Sequence, residues 1–128
     1  MALPITGVWF SFINVNPGGF PNDGAFHLNL PHSTTGAFNG MHFRLTETPI
    51  SNGVYSPATS TSIDHLVFEE PEPGTNFKFV YEGDVIEESP NRLRTTNGKR
   101  RRVPLPTPTE DVAAAALTDD DWVGTHTT

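Results

Sequence analysis

Apolar and polar residues alternate with a period of two in at least three separate segments of this chain. The apolar members of these segments are Phe26, Leu28 and Leu30; Met41, Phe43 and Leu45; and Phe77, Phe79 and Tyr81. Successive side chains of a strand point to opposite faces of a sheet, so this pattern predicts antiparallel strands that each bury one face. The chain is therefore expected to be all-β.

Turn-forming residues separate these segments. The 12 Pro and 11 Gly are spread along the chain in breaks such as NPGGFPNDG and EEPEPGTN. A meander of about eight short strands tends to close on itself, because closure removes exposed sheet edges. We expect residues 1–128 to form a single domain, a small up-and-down antiparallel β-barrel. A β-sandwich is the alternative.

The C-terminal third contains signals for a hairpin and a helix. Asn97-Gly98 is typical of a type I′ turn, which predicts that residues 91–96 pair with residues 99–104. Thr107 as N-cap, followed by Pro108 and Glu110, indicates one short helix. We expect the helix to end at the run of three aspartates, 119–121, and a last strand to cover residues 122–128.

The first segment, ITGVWFSFINV at residues 5–15, is apolar on both of its faces. Val8, Phe10 and Phe12 share one face, and Trp9 shares the other with Ile13 and Val15. One face belongs in the core. The other needs a cover, and we expect a second subunit to provide it, together with part of the helix. This predicts a homodimer.

Gly7 and Trp9 resemble the Gly-x-Trp of the first strand in the calycin superfamily, which includes lipocalins and avidins. The resemblance implies a meander barrel whose base is closed by Trp9. Two departures limit it to the fold. Lipocalins place an Arg in the last strand against that Trp, and residues 122–128 contain none. Avidins line their pocket with several Trp, whereas this chain has only Trp9 and Trp122.

Composition excludes several classes of function. The chain has no Cys, so it has neither disulfides nor thiolate metal sites. A net charge of −7 opposes binding to nucleic acid. The first residues have neither the basic region nor the apolar core of a signal peptide, and no apolar run has the length of a membrane span, so we expect a cytoplasmic protein without membrane contact. The His spacings do not suggest a metal site, and no cofactor is expected.

Six of the eight basic residues lie between positions 92 and 102. In the predicted hairpin, Arg94, Lys99 and Arg101 share one face and form a candidate anion site. The alternatives are a solvated hairpin whose charges are balanced by acids such as Glu87 and Glu88, or a surface for a partner.

His65 shares a strand face with Ile63 and Val67, so it is a polar group among apolar ones. It is a candidate general base together with Tyr81, although a hydrogen-bonded core histidine would give the same pattern. His27 and His42 fall on the polar phase of their strands. They point outward unless the barrel holds a polar cavity, which would invert the phases.

The aromatic residues suggest a ligand. A small barrel is either filled by its side chains or encloses one small molecule. We expect an apolar or aromatic ligand, contacted by Trp9, Phe12, Phe26, Phe43 and Phe79. A barrel enzyme of the isomerase, cyclase or hydratase type is one alternative, and an interaction module that dimerises through the first strand is another. Whether the protein is an enzyme is left open.

Overall fold

The computed structural model describes residues 5–14, 22–29, 36–44 and 46–128. The predicted architecture is confirmed: each strand pairs antiparallel with the next, and the last pairs with the first, which closes an eight-stranded barrel. The strands are β1 (Gly7–Asn14), β2 (Asn22–Asn29), β3 (Ala37–Phe43), β4 (Glu47–Ser56), β5 (His65–Pro71), β6 (Phe77–Ser89), β7 (Arg92–Pro104) and β8 (Thr118–Thr127).

Aromatic rings fill the middle of the barrel. Phe68 of β5 is stacked on Tyr81 of β6 with ring centroids 5.1 Å apart, and Phe26 of β2 meets Phe68 edge-on at 4.8 Å. Trp122 of β8 meets Tyr81 at 5.4 Å. All four residues are buried. Such ring pairs add to the stabilisation from apolar burial alone, so the centre of the barrel is a packed core.

Trp9 is buried near one end of the barrel. Its indole Nε1 donates to the Ile5 carbonyl oxygen at 2.7 Å, and its ring is stacked on His126 of β8 at 5.1 Å. A Cβ on Gly7 would lie 2.6 Å from the His126 ring, so the stack requires glycine at this position. The residue of the last strand that packs on Trp9 is thus His126. The barrel is compatible with a calycin-like fold.

The hairpin predicted at Asn97-Gly98 is wrong. β7 is one strand of 13 residues, and both of its halves pair with β6 and with β8. Asn97, with φ 53°, and Gly98 form a bulge within it. A Cβ on Gly98 would lie 2.1 Å from the Trp122 carbonyl oxygen, so the bulge needs glycine there. The turn between β6 and β7 uses Asn91, at φ 67°.

The predicted helix is shorter than expected, and the predicted cap is absent. A 3₁₀ turn (Thr109–Asp111) leads into α1 (Val112–Ala115), which has four residues. Thr107 Oγ1 donates to the Pro104 carbonyl oxygen instead of capping a helix. α1 packs Val112 against Val80 and Val103 on the outer surface of β6 and β7.

The aspartates at 119–121 were expected to end the helix, but they lie in β8. This strand begins at Thr118, where it pairs with Arg102 of β7. Asp119, Asp120 and Asp121 lie opposite Arg101, Arg100 and Lys99. Opposite charges directly across a strand pair are favourable, which explains why this acidic run is extended. Within the described ranges, no helix has the length and apolar character needed to span a membrane.

Candidate functional site

A network of ionisable side chains lies inside the barrel at the end opposite Trp9. We call Asp23, His42, Arg44, Glu70 and Tyr81 the polar network, and this end of the barrel the polar end. Asp23 is at the start of β2 and Trp9 near the start of β1; because the two strands are antiparallel, these positions lie at opposite ends. His42 lies on β3, Arg44 directly follows that strand, and Glu70 and Tyr81 lie on β5 and β6.

His42 is held by acceptors on both of its ring nitrogens. Nδ1 lies 2.6 Å from Glu70 Oε2, and Nε2 lies 2.6 Å from the backbone carbonyl oxygen of Asp23. The imidazole is fully buried and stacked on Phe26, with ring centroids 3.9 Å apart. A carbonyl oxygen only accepts, so Nε2 carries a proton, and the short Nδ1–Oε2 contact needs a second one. The His42–Glu70 pair therefore holds two protons.

Arg44 links the two carboxylates of the network. Its Nη2 lies 3.1 Å from Asp23 Oδ1 in an ion pair, and it donates hydrogen bonds of 3.2 Å to Glu70 Oε1 and to the Tyr81 hydroxyl. The Arg44 side chain is 37% exposed, whereas Glu70 is only 2% exposed. Arg44 is thus the member of the network that reaches solvent.

Tyr81 acts in this network as a hydrogen-bond donor. Its hydroxyl donates to Asp23 Oδ2 at 3.0 Å. Burial, followed by the nearby carboxylates of Asp23 and Glu70, raises the pKa of Tyr81 well above its ordinary value. The phenol keeps its proton at neutral pH, so Tyr81 can donate a proton but is a poor general base.

The hydrogen bonds of the network continue into the core. Ser11 Oγ donates to Asp23 Oδ2 at 3.1 Å, and Trp122 Nε1 donates to Ser11 Oγ at 2.9 Å. The charges also balance: Asp23 is matched by Arg44, and the His42–Glu70 pair with its two protons is neutral as a unit. Buried charges are tolerated when they are paired in this way.

Stacked guanidinium and aromatic groups form the wall beside the network. The Arg100 guanidinium lies over the Phe79 ring at 4.5 Å, and that of Arg102 lies over Phe77 at 3.9 Å. Arg102 also donates two hydrogen bonds of 2.8 Å to Glu72. Arg100 is paired directly across the strands with Tyr81. The polar end thus presents flat aromatic and guanidinium surfaces next to hydrogen-bonding groups.

Of the residues expected to contact a ligand, the structure brings two to the polar end. Phe26 lies beneath His42, and Phe79 lies beneath Arg100. Trp9 lies buried at the opposite end. Phe12 lies on the outer surface, opposite Val123 of β8.

Phe43 also lies on the outer surface and is 38% exposed. The apolar phase assigned to β3 is therefore wrong, and His42, Phe38 and Gly40 face inward instead. His42 faces inward because its hydrogen-bond partners, and those of Arg44, lie inside the barrel on β2 and β5.

The two residues expected to act together as acid and base are not neighbours. Tyr81 points into the barrel, whereas His65 lies on the outer surface with its side chain 37% exposed. His65 Nδ1 is 3.0 Å from Asp84 Oδ1, and Nε2 is 3.4 Å from Glu82 Oε2. The hydrogen bond to Glu82 raises the pKa of His65, against a smaller lowering by burial, and Asp84 raises it further.

The three residues of the candidate anion site share the outer surface of β7, as predicted, although the hairpin itself does not exist. Lys99 Nζ donates to Asp121 Oδ1 at 2.7 Å. Arg101 is bonded to Glu82 and lies 3.5 Å from Asp119. The acids that balance Lys99 and Arg101 are therefore Asp121, Glu82 and Asp119, whereas the predicted Glu88 pairs with Arg92 at 3.7 Å.

Sequence reasoning assigned no functional role to Asp23, Arg44 and Glu70. One usable signal was present for Glu70: in the segment HLVFEE it shares its strand phase with Leu66 and Phe68. A carboxylate on an apolar phase needs a buried partner. His42 and Arg44, which alternate with Met41 and Phe43 in the sequence, supply that partner.

None of the known protein families matches this chain, and the curated proteins contain no match to its sequence. Within the four described ranges, no three His, Asp or Glu side chains come together in a way that could hold a metal ion.

Proposed function

We propose that this barrel binds a small molecule at its polar end. The observation that supports this proposal is the polar network itself. Replacing a buried ionic network by well-packed apolar residues is often neutral or stabilising, by about 1–4 kcal/mol. A chain that keeps these five groups together at one end of the barrel is consistent with a use for them there.

The surroundings of the network suggest the kind of ligand. The centre of the barrel is filled by rings, so the ligand would sit above them, beside Phe79 and Arg44 rather than around the axis. A flat apolar or aromatic body fits the Phe79 and Arg100 surfaces, and polar substituents would meet Arg44 and Asp23. The calycin resemblance supports the same site, because in such barrels the tryptophan closes the base, and the network lies at the other end.

A barrel enzyme is the second candidate, and the His42–Glu70 pair favours it. Two protons on a hydrogen-bonded imidazole–carboxylate pair, with the Tyr81 phenol nearby, form a set of groups that can move a proton. In this candidate His42 takes the role that was expected of His65. Tyr81 keeps a role as a proton donor.

A homodimer is the third candidate, and the outer face of β1 favours it. Phe10 is 53% exposed and Val8 48% exposed, and Phe10 pairs with Ala25, which in turn pairs with Phe43. β1 has both edges paired, so a second copy would have to pack on its face. α1 leaves this face free, since it covers β6 and β7.

The test of ligand binding uses protein purified from its own host. Native mass spectrometry reports any retained small molecule, and thermal shift with a panel of aromatic compounds reports binding by the emptied protein. We expect Glu70→Gln to abolish retention and the thermal shift. Glu69→Gln is the matched control, because Glu69 is also buried and paired but lies on the outer surface. Equal binding by both variants, or no bound compound, would overturn the proposal.

The enzyme candidate has a separate readout. If the retained molecule is turned over, His42→Gln should remove turnover even at ligand concentrations high enough to saturate the variant. Unchanged turnover in His42→Gln would reject His42 as the group that moves the proton.

A further inference from the structure

The bulge in β7 opens a pocket on the outer surface of the barrel. Between the pairs Arg94–Thr125 and Lys99–Asp121, β7 has one residue more than β8, so the ladder between them is interrupted. A pocket of about 380 Å³ lies over this interruption. We call it the bulge pocket. It is lined by Arg94, Thr95, Thr96, Asn97, Gly98, Lys99, Asp121, Trp122 and Val123.

Specific contacts hold the bulge in place. Thr95 is buried, and its Oγ1 accepts a hydrogen bond of 2.8 Å from the Gly124 amide, which replaces a missing ladder bond. Gly98 fits against the Trp122 carbonyl only because it lacks a Cβ. Bulges of this kind commonly redirect side chains next to functional sites.

Arg94 distinguishes this pocket from the rest of the basic surface. All eight basic residues lie in the described part of the chain, and seven of them have a carboxylate within 4 Å. Those seven are Arg44, Lys78, Arg92, Lys99, Arg100, Arg101 and Arg102. Among the described residues, no carboxylate lies within that distance of Arg94. Its guanidinium is exposed and lines the bulge pocket.

The charges of the pocket favour an anion. Arg94 and Lys99 contribute two positive charges, and Asp121, the one acid that lines the pocket, is already bonded to Lys99 at 2.7 Å. One positive charge is therefore left over, on a planar guanidinium that binds two oxygens of one group at once. Thr96 adds a hydroxyl to the lining, whereas the Asn97 amide nitrogen donates to Asp84 Oδ2 at 3.4 Å.

We propose that the bulge pocket binds the oxyanion group of a small molecule, a carboxylate or a phosphate, through Arg94. Arg94 donates two parallel hydrogen bonds to the group, and Lys99 lies on its other side. The site is on the outer surface, so it is separate from the polar network and does not depend on the proposed ligand there.

The test is titration of the full chain with inorganic phosphate and, separately, with acetate at low ionic strength. Amide shifts in the NMR spectrum report the site. We expect saturable shifts at Thr96, Asn97 and Gly98, and the preferred anion identifies the oxyanion. Arg94→Gln should weaken binding at least tenfold, a change of about 1.4 kcal/mol.

Arg92→Gln is the matched control. It removes the same charge from the same face of β7, two residues away, and it should leave binding unchanged. Equal weakening by both variants would mean that only the overall charge matters, and that result would overturn the proposal. Shifts that never saturate, or that appear away from residues 94–99, would overturn it as well.

Discussion

Glu69 and Glu70 are adjacent in β5 but lie on opposite surfaces of the barrel wall, and both are buried. Glu69 Oε1 accepts hydrogen bonds from Lys78 Nζ at 2.9 Å and from Asn52 Nδ2 at 3.0 Å on the outer surface. Glu70 bonds His42 and Arg44 on the inner surface. One dipeptide thus anchors a polar cluster on each side of the sheet, and the two clusters can be perturbed independently.

The first prediction concerns the stability supplied by the polar network. We expect His42→Gln to lower the free energy of unfolding by about 3 kcal/mol, because it leaves Glu70 buried without its closest partner. Urea denaturation measures the change. His27→Gln is the control: His27 is exposed on the outer surface of β2, so the expected change is below about 0.5 kcal/mol. Equal losses of unfolding free energy in the two variants would contradict the stabilising contacts of His42 inside the barrel.

A second prediction follows from the raised pKa of His65. In the folded state His65 binds its proton more tightly than in the unfolded chain. Its contribution is therefore complete below the unfolded pKa and disappears as pH rises through the higher folded pKa. We expect His65→Gln to destabilise the protein more at about pH 5 than at about pH 9. A stability difference that stays constant over this range in urea titrations would be inconsistent with the ion pairs of His65.

The third prediction concerns Glu82, whose pKa is lowered from 4.5 to about 2 by hydrogen bonds from His65 and Arg101, against the opposing effect of burial. Its contribution is present above pH 4.5 and is lost as pH falls toward 2. We expect the stability of the wild type to approach that of Glu82→Gln over this range. If the acid-unfolding curves of the wild type and Glu82→Gln stay parallel, the lowered pKa of Glu82 is refuted.

A fourth prediction tests the bulge. Gly98→Ala places a Cβ against the Trp122 carbonyl oxygen, so β8 must shift, at a cost of about 2 kcal/mol or more. Gly74→Ala is the comparison, because nothing lies within 4 Å of its added Cβ and only its positive φ is unfavourable. We expect thermal unfolding to show the larger loss for Gly98→Ala. The reverse order would mean that β7 and β8 are not in close contact at the bulge.

The fifth prediction tests the proposed dimer. Phe10→Lys puts a charge in the centre of the exposed apolar face of β1, so we expect a dimeric wild type and a monomeric variant in size-exclusion chromatography with light scattering. Ile86→Lys makes a comparable change on the outer surface of β6 and should remain dimeric. A monomeric wild type would remove the dimer from consideration.

The fold was predictable because strand periodicity and turn residues are local signals. The polar network was not, and β3 shows why. Met41 and Phe43 look like the buried phase of β3 when that strand is considered alone. The inward-facing phase is instead that of His42, because Glu70 lies 28 residues from His42 in sequence and 2.6 Å from it in space. Periodicity within one strand carries no information about such a partner.

The C-terminal errors have the same origin. Asn97-Gly98 has the residues of a hairpin turn, but the residues on both sides of it have partners in β6 and β8, so the chain continues through a bulge. The aspartates at 119–121 were assigned to a helix end because their cross-strand partners, Lys99 to Arg101, are distant in sequence. Local turn and helix signals were overridden by pairing that forms only in the closed barrel.

The pairing of β1 with β8, which closes the barrel, constrains the order of folding. The Val8 carbonyl and the His126 ring are bonded although they are 118 residues apart in sequence. β8 is synthesised after the other seven strands. Until it emerges, the edge of β1 that pairs with β8 has no partner, and Phe10 is exposed next to that edge. Pairing over such a separation is slow. Closure of the barrel by β1 and β8 is therefore expected to be a late step of folding.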